Sequence, residues 1–180
     1  MLTWEFSVLD FIQTHLRSEA GDAVMLHITN SGRIWILLAL AMLLHPKTRK
    51  TGAALVVALV LEVLCCNRIL KPLVARVRPC DINTAVQLLI PRPSDFSFPS
   101  GHTGTSFAAA SALYFSGCRL RVPALVFAAL MGFTRLYLYV HYPSDVLAGA
   151  ALGMFLGWLS CALVRFVERK FCRRDRSASL

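Results

Sequence analysis

Long apolar blocks separated by short polar segments run along most of this chain. Residues 53–66, 122–133 and 146–164 carry almost no charge, and a helix needs about 20 predominantly apolar residues to cross a bilayer. The pattern therefore predicts an all-α, polytopic membrane helix bundle with about five transmembrane spans. A turn-like cluster at 29–32 shortens the first span, unless residues 22–30 extend it as a kinked half-helix. We place the spans at residues 32–45, 51–70, 101–118, 122–140 and 144–166.

The first 20 residues have a different, amphipathic pattern. Phe6, Leu9, Ile12 and Leu16 recur at helical spacing, with charged and polar residues between them. Such a helix is too charged to span, so we predict that residues 1–20 lie as an amphipathic helix in the membrane interface. Docking on the surface of the bundle is an equally good alternative, and insertion of this helix would make six spans. The segment lacks the basic start of a signal peptide.

Charge is distributed unevenly over the loops. The chain has 180 residues, 56% of them hydrophobic, with a mean hydropathy of +0.58 and a net charge of +9. We expect one membrane-embedded domain over residues 1–180, with a core at 32–168 and a basic tail at 169–180. With five spans, eleven basic residues share one face, which the positive-inside rule makes cytoplasmic together with the C-terminus. Because they flank a membrane bundle, no nucleic-acid partner is expected. They are Lys47, Arg49, Lys50, Arg119, Arg121, Arg165, Arg169, Lys170, Arg173, Arg174 and Arg176.

Three polar segments are predicted to meet at the opposite face. They are KPLVARVRP at 71–79, PSGH at 99–102 and RLYLYVHYPSD at 135–145. Ionisable groups gathered at one membrane level indicate a functional site more than they indicate packing. The residues that this reasoning brings together are Lys71, Arg76, Arg78, Ser100, His102, Arg135, His141 and Asp145.

The PSGH segment has the features of an anion-binding helix start. Ser100 is a natural N-cap and Gly101 lets the backbone approach a ligand closely. A helix N-terminus favours negative charge, although an ordinary serine cap would have the same sequence. Three cations strengthen the argument for phosphate, because lysine binds it as a point charge and arginine as a planar fork. They are Lys71, Arg78 and Arg135, each of which alone would also fit a snorkelling membrane anchor.

His141 and Asp145 complete the candidate chemistry. Asp145 lies in the first turn of the predicted fifth span, close enough to orient one nitrogen of His141 and leave the other as a nucleophile. The aspartate also fits a simple role in stabilising the helix dipole. A metal site formed by His102, His141 and Asp145 is a rival interpretation. Because three nearby cations would repel a divalent ion, we predict no metal and no cofactor.

The spacing of these motifs resembles a known family. Lysine, six residues, then Arg-Pro; Pro-Ser-Gly-His; and Arg, five residues, His, three residues, Asp are similar to the motifs of the type 2 phosphatidic acid phosphatase/haloperoxidase superfamily. The resemblance covers roughly residues 60–165 and fills all three motifs. It departs at Thr134, where the family usually has serine, and the hydroxyl is retained.

The resemblance implies a metal-independent phosphatase that acts through a phosphohistidine. By motif position, His141 attacks phosphorus and Asp145 orients it, while His102 protonates the leaving oxygen and then activates water. Charge stabilisation and positioning, which dominate phosphoryl transfer, would come from the remaining motif residues. These phosphate-binding residues are Lys71, Arg78, Ser100, Gly101 and Arg135.

The resemblance also implies a substrate and a location in the cell. The short chain and external site resemble bacterial enzymes that convert undecaprenyl pyrophosphate to undecaprenyl phosphate, acting at the outer leaflet of the cell (inner) membrane. Phosphatidic acid or phosphatidylglycerol phosphate is the alternative substrate. A lipid-phosphate binding or transport protein is the non-enzymatic alternative, but it would not need both histidines and Asp145.

Several features lie outside this account. Gly149, Gly153 and Gly157 repeat along one face of the last span, which permits close helix contact, either inside the chain or across a homodimer. Glu62 lies in an apolar span and is expected to face the bundle interior. The roles of Arg76 and Arg92 stay open.

Overall fold

The computed structural model describes the backbone of residues 3–178 and the side chains of residues 3–170. Within these ranges every regular element is a helix, as predicted. Ser31–Arg33 is a 3₁₀ turn, and Ile12–Leu16 and Val63–Leu70 have π-helical hydrogen bonding. The α-helices are α1 (Thr3–Phe11), α2 (Glu19–Asn30), α3 (Ile34–Leu44), α4 (Arg49–Glu62), α5 (Lys71–Val74), α6 (Pro79–Ile82), α7 (Gly101–Phe115), α8 (Arg121–Tyr137) and α9 (Pro143–Ala178).

Helices α7 and α9 run parallel through the middle of the bundle. Gly149 near the start of α9 faces Ser100 at the start of α7, and Gly157 faces Ala112 farther along both helices. Helix α8 joins the end of α7 to the start of α9 and therefore runs in the direction opposite to both. We call the end at which α7 and α9 begin the motif end, and the opposite end the basic end.

The basic end gathers the loops that carry most of the positive charge. Lys50 at the start of α4 pairs with Glu168 of α9 at 3.1 Å, and Arg165 donates to the carbonyl oxygen of Phe115 at the end of α7. The side chains of Arg173, Arg174 and Arg176, which belong to the predicted tail, lie outside the described residues.

Within the described chain, three helical segments are long and apolar enough to cross a bilayer. They are Glu19–Leu44, Arg49–Ile82 and Pro143–Lys170, with 26, 34 and 28 residues. The first covers the predicted span 32–45 up to Leu44 but begins earlier. The polar cluster at 29–32 does not break the helix, because α2 runs to Asn30 and the 3₁₀ turn Ser31–Arg33 joins it to α3. Helices α7 and α8 have 15 and 17 residues. Both fall short of the roughly 20 expected of a span, so the count of five stays a prediction.

A stripe of small residues lets α7 and α9 pack closely. A Cβ atom added at Gly153 would lie 2.4 Å from the carbonyl oxygen of Gly104, and one at Gly157 would lie 2.5 Å from that of Ala108. The facing side of α7 is rich in fully buried alanines. The glycine stripe is therefore filled by α7 of the same chain, which is the internal packing that the sequence allowed. The homodimer through this stripe is not supported.

Helix α1 is docked on the motif end. Its Leu9 is buried, Phe6 packs edge-on against Tyr142 with ring centroids 5.5 Å apart, and Asp10 accepts a hydrogen bond from the Tyr139 hydroxyl at 2.7 Å. These contacts confirm docking, one of the two alternatives for this segment. An interfacial position of the helix in the membrane stays a prediction. Nine residues are too few for a sixth span by this helix alone.

Candidate active site

The three motif segments converge where α7 begins. Lys71 starts α5, Arg78 immediately precedes α6, and Arg135 lies in the last turn of α8. A loop at 138–142 carries the chain from α8 to α9. Six of the predicted site residues are buried, Gly101 is half-buried, and His102 is exposed to an adjoining cavity. The buried residues are Lys71, Arg78, Ser100, Arg135, His141 and Asp145.

Two of the connections that deliver these side chains contain non-glycine residues in the left-handed backbone region. Ala75 has φ 48° and ends α5 between Lys71 and Arg78. Tyr139 has φ 57° two residues before His141. Such conformations persist only where surrounding contacts hold them, and they cluster at functional sites. Both turns aim motif residues at a common point.

Asp95 occupies the space between two of the predicted phosphate-binding cations. Its Oδ1 accepts from Nη2 of Arg78 at 2.7 Å, and its Oδ2 pairs with Nζ of Lys71. Burial opposes ionisation, but the hydrogen bond and charge of Lys71 together with Arg78 outweigh it and lower the pKa of Asp95 to about 2. The carboxylate therefore bridges the two cations. This contact was not anticipated from the sequence.

The start of α7 differs in detail from the prediction. Ser100 holds the N-cap position, but its hydroxyl bonds the Thr103 hydroxyl at 2.9 Å and does not cap a backbone N–H. Its own N–H donates to the carbonyl oxygen of Asp145 at 3.1 Å, which ties α7 to α9. A Cβ atom at Gly101 would approach Asn67 to 3.3 Å and Lys71 Nζ to 3.8 Å. The glycine therefore keeps the helix start open to a ligand.

His141 is placed with one nitrogen toward Asp145 and the other toward Arg78. Nδ1 lies 3.5 Å from Oδ2 of Asp145 and has no hydrogen-bond partner within the described residues. Nε2 lies 3.1 Å from Nη1 of Arg78. Because a guanidinium only donates, Nε2 accepts and the proton belongs on Nδ1. Burial lowers the pKa of His141 to about 3; Asp145 opposes this shift, and the charges of Arg78 and Arg135 add to it.

A neutral imidazole with an unprotonated Nε2 is the form that a nucleophile requires. In this structure the N–H of Arg78 holds that lone pair, so a phosphoryl group would have to take its place. The rival metal site is not formed by these side chains. Among residues 3–170, no three His, Cys, Asp or Glu side chains are grouped closely enough to hold a metal ion.

Arg76, whose role the sequence left open, links Asp145 to the N-terminal helix. Its Nη1 lies 2.6 Å from Oδ1 of Asp145, and its Nη2 lies 2.6 Å from Oε2 of Glu5. Glu5 also accepts from the Ser144 hydroxyl at 2.5 Å. Oδ2 of Asp145 accepts from the Ser97 hydroxyl at 2.5 Å and from the N–H of Tyr142 at 2.9 Å. Both carboxylate oxygens of Asp145 thus have hydrogen-bond donors, which fix its orientation.

Glu5 and Ser97 were missed by sequence reasoning. For Glu5 a signal existed, because it stands four residues before Leu9 and so shares the helix face that packs on the bundle. Ser97 lies in an irregular loop between two motifs, where no periodicity indicates a direction for the side chain.

The side chain of Arg135 is positioned by helix α2. Its Nη1 donates to the hydroxyl of Thr29 at 2.6 Å, while its buried Nε has no partner among the described residues. Thr134, which departs from the family pattern, donates back to the carbonyl oxygen of Met131 at 2.7 Å. Its hydroxyl therefore bonds to the backbone of its own helix and does not reach the site.

A cavity of about 480 Å³ opens beside this cluster. His102, Gly101, Lys71 and Asp95 line it, together with residues from the turn between α2 and α3. We call it the site cavity. His141 does not line it and lies behind Arg78.

Glu62 and Arg92, two other charged residues singled out in the sequence, both contact polar partners. Glu62 is fully buried, as predicted, and accepts from the Thr105 hydroxyl at 2.8 Å, one turn beyond the start of α7. Arg92 pairs with Asp81 at 3.1 Å on the surface. Neither residue reaches the cluster around His141.

Comparison with known proteins agrees with this geometry. The sequence profile of the PAP2 superfamily matches residues 51–169. An undecaprenyl-diphosphatase from Sulfolobus acidocaldarius is 32% identical over 142 residues, covering 77% of this chain and 68% of that protein. The crystal structure of LpxE from Aquifex aeolicus superposes with a TM-score of 0.77 at 26% identity, covering 88% of this chain and 95% of that chain.

A second solved structure is similar over nearly the whole chain. The PAP2 type phosphatidylglycerolphosphate phosphatase from Bacillus subtilis superposes with a TM-score of 0.73 at 26% identity. The match covers 93% of this chain and 86% of that chain. The motifs, the helical bundle and these similarities together establish that this chain is a membrane-embedded phosphatase of the PAP2 superfamily.

Proposed function

We propose that this protein hydrolyses a lipid phosphate or diphosphate through a phosphohistidine, with undecaprenyl pyrophosphate as the preferred substrate. The observation that most supports the mechanism is the orientation of His141. Its Nε2 accepts from Arg78 at 3.1 Å, so its lone pair faces the cations that would hold a phosphoryl group. The choice of substrate is supported by the undecaprenyl-diphosphatase relative. Phosphatidylglycerol phosphate and phosphatidic acid remain the alternatives.

In the proposed reaction Lys71, Arg78 and Arg135 bind the phosphoryl oxygens, with the Ser100 hydroxyl and the Gly101 N–H at the start of α7 completing the site. Nε2 of His141 attacks the terminal phosphorus, and the bond from phosphorus to the leaving oxygen breaks. His102, which faces the site cavity, donates a proton to that oxygen. Water then attacks the phosphohistidine while His102 takes its proton, and the N–P bond breaks to release inorganic phosphate. Asp145 stabilises the positive charge on His141.

The mechanism is tested by comparing the two histidines in purified protein. His141→Ala should abolish turnover of every substrate. His102→Ala should slow lipid hydrolysis by about 10²–10⁴. With p-nitrophenyl phosphate, whose leaving oxygen needs little protonation, phosphoenzyme formation in His102→Ala should partly recover, and acid-quenched protein should carry labelled phosphohistidine. His45→Ala, at the basic end, is the matched control.

If the activated substrate rescued His141→Ala and label never appeared on the protein, direct attack by water would replace this mechanism. The lipid is identified by phosphate release from a panel of undecaprenyl pyrophosphate, phosphatidic acid and phosphatidylglycerol phosphate. A preference for either glycerolipid would overturn the proposed substrate.

We also propose that the motif end faces the outside of the cell membrane and that the C-terminus is cytoplasmic. The charge of the loops at the basic end supports this orientation. A reporter fused after Leu180 should then be cytoplasmic, and a tag inserted in the loop at 83–94 should be accessible from outside. Finding both on the same side would refute the orientation.

A further inference from the structure

The site cavity adjoins an apolar groove on the outside of the bundle. The groove runs between α3 and α4 and has a volume of about 390 Å³. Ile36 lines both the site cavity and the groove. Farther along, the groove is lined by Leu40, Val60 and Leu64, which are exposed apolar side chains. Ile36 therefore lies between the cavity that His102 lines and the apolar outer side of the bundle. A substrate that occupied both would follow a path past this residue.

The groove's surroundings identify its occupant. Both helices that form it belong to segments long and apolar enough to cross a bilayer, so the groove is open to hydrocarbon. A second apolar groove lies between Tyr114 and Trp158, near the C-terminal end of α7. That groove shares no lining residue with the site cavity. The shared residue Ile36 distinguishes the α3–α4 groove, and an acyl or isoprenoid chain attached to the substrate matches its chemistry.

The end of the path nearest the site carries a cation that the motifs do not include. Arg33 lines the site cavity together with Asn67. Within the described residues, Arg33 has no carboxylate partner within ion-pair distance, whereas Lys71, Arg76 and Arg78 all have one. The cavity is reached on the side of His102, which is the side from which a leaving group is protonated. A positive charge there fits a leaving group that is itself anionic.

We propose that the leaving lipid lies along α3, with its retained phosphate bound by Arg33 and Asn67 and its hydrocarbon chain in the α3–α4 groove. This inference rests on the proposed phosphatase function and names the substrate class as a lipid diphosphate. The phosphoryl group bound by Lys71 and Arg78 is transferred to His141. The phosphate bound by Arg33 leaves on the lipid.

Filling the groove tests the position of the chain. Val60→Trp places a large side chain in the groove at a position 52% exposed. Val126→Trp, at a position 55% exposed on α8 outside both grooves, is the matched control. The measured quantity is the kcat/KM for farnesyl diphosphate or a longer isoprenoid diphosphate, divided by the kcat/KM for p-nitrophenyl phosphate. In Val60→Trp this ratio should fall at least about tenfold, because the hydrocarbon chain can no longer be buried in the groove. The control should keep the wild-type ratio.

Replacing the cation tests the retained phosphate. Arg33→Gln should lower kcat/KM for farnesyl diphosphate about tenfold, as expected when one charge-assisted contact is lost, while farnesyl monophosphate changes less than about twofold. Arg33→Lys should restore most of the diphosphate activity. Melting temperatures in detergent confirm that each variant is folded before rates are compared.

The outcomes separate this inference from the function on which it rests. Wild-type protein without activity on any lipid phosphate would refute the proposed function. An active wild type with equal ratios in Val60→Trp and Val126→Trp would refute the groove. Equal losses on monophosphate and diphosphate in Arg33→Gln would refute the anionic leaving-group site and place Arg33 in the general packing of the cavity.

Discussion

Arg76 offers the sharpest test of how the site is held together, because it lies between two buried carboxylates. Glu5 and Asp145 are 1% and 0% exposed, and each lies 2.6 Å from one nitrogen of the same guanidinium. Arg76 itself does not line the site cavity. Its replacement by alanine leaves two acids without their charged partner while leaving the proposed phosphate-binding cations in place.

The expected effect on stability is large. Removing one partner of a buried ion pair destabilises a protein by about 3–5 kcal/mol. The lower end of that range applies here, since Arg76 is 21% exposed and Asp145 keeps its bonds from Ser97 and from the N–H of Tyr142.

The expected effect on turnover is moderate. The oxygen of Asp145 nearest His141 is Oδ2, whereas Arg76 binds Oδ1. Arg76→Ala therefore loosens the carboxylate without removing it. We expect kcat to fall about 10–100-fold, the range seen when a group that orients a directly acting residue is lost. This is smaller than the roughly 10⁴-fold loss when the orienting aspartate itself is changed. KM should change little, since Arg76 is a positioning residue and not a phosphate ligand.

The assay combines kinetics on a lipid phosphate with thermal unfolding in detergent. The variants compared are Arg76→Ala, Arg76→Lys, Glu5→Ala and the double variant Glu5→Ala/Arg76→Ala. Removing Glu5 together with Arg76 eliminates one orphaned carboxylate, so stability should partly recover. Turnover should not recover, because Asp145 still lacks its partner. Arg68→Ala, an exposed arginine on the preceding π-helical segment, is the control and should match the wild type.

Two results would refute this reasoning. A folded Arg76→Ala protein with kcat within about twofold of the wild type would show that Oδ1 of Asp145 needs no partner. Recovery of turnover together with stability in the double variant would show that Arg76 acts only through the fold. A rise in KM at constant kcat would instead make Arg76 a phosphate ligand.

Three other predictions follow from the same geometry. Asp95→Asn removes an anion that, in the proposed mechanism, competes with phosphate for Lys71 and Arg78, so orthovanadate should inhibit about two- to fivefold more tightly. Because Asp95 is half-exposed, its ion pair with the buried Lys71 justifies no more than about 1 kcal/mol, and weaker inhibition would contradict the competition. Gly153→Ala should sharply reduce the yield and melting temperature of folded protein, because its Cβ would lie 2.4 Å from a backbone oxygen, whereas Gly32→Ala meets nothing closer than 3.8 Å and should be tolerated. Phosphatase activity should survive EDTA, and a complete loss restored by zinc or magnesium would refute the metal-free mechanism.

Much of this site was accessible from the sequence because its key relations are local or encoded in composition. His141 and Asp145 are four residues apart across the start of a helix, so backbone geometry alone brings them close. The apolar blocks predicted the long helices, since hydrocarbon requires length and low charge. The glycine stripe of α9 predicted close packing, because only small side chains allow it.

Tertiary structure alone decided which distant residues complete the site. Arg76 and Glu5 are 71 residues apart in the chain, and Thr29 meets Arg135 across 106 residues. A polar residue on an amphipathic helix looks the same in sequence whether it faces solvent or a buried partner, so Glu5 gave no direct indication of its ion pair. Asp95 and Ser97 lie in a loop without periodicity, where the path of the backbone, and hence each side-chain direction, depends on packing against the finished bundle. The groove between α3 and α4 exists only once both helices are packed, and for this reason the proposed path of the lipid could not be read from the chain.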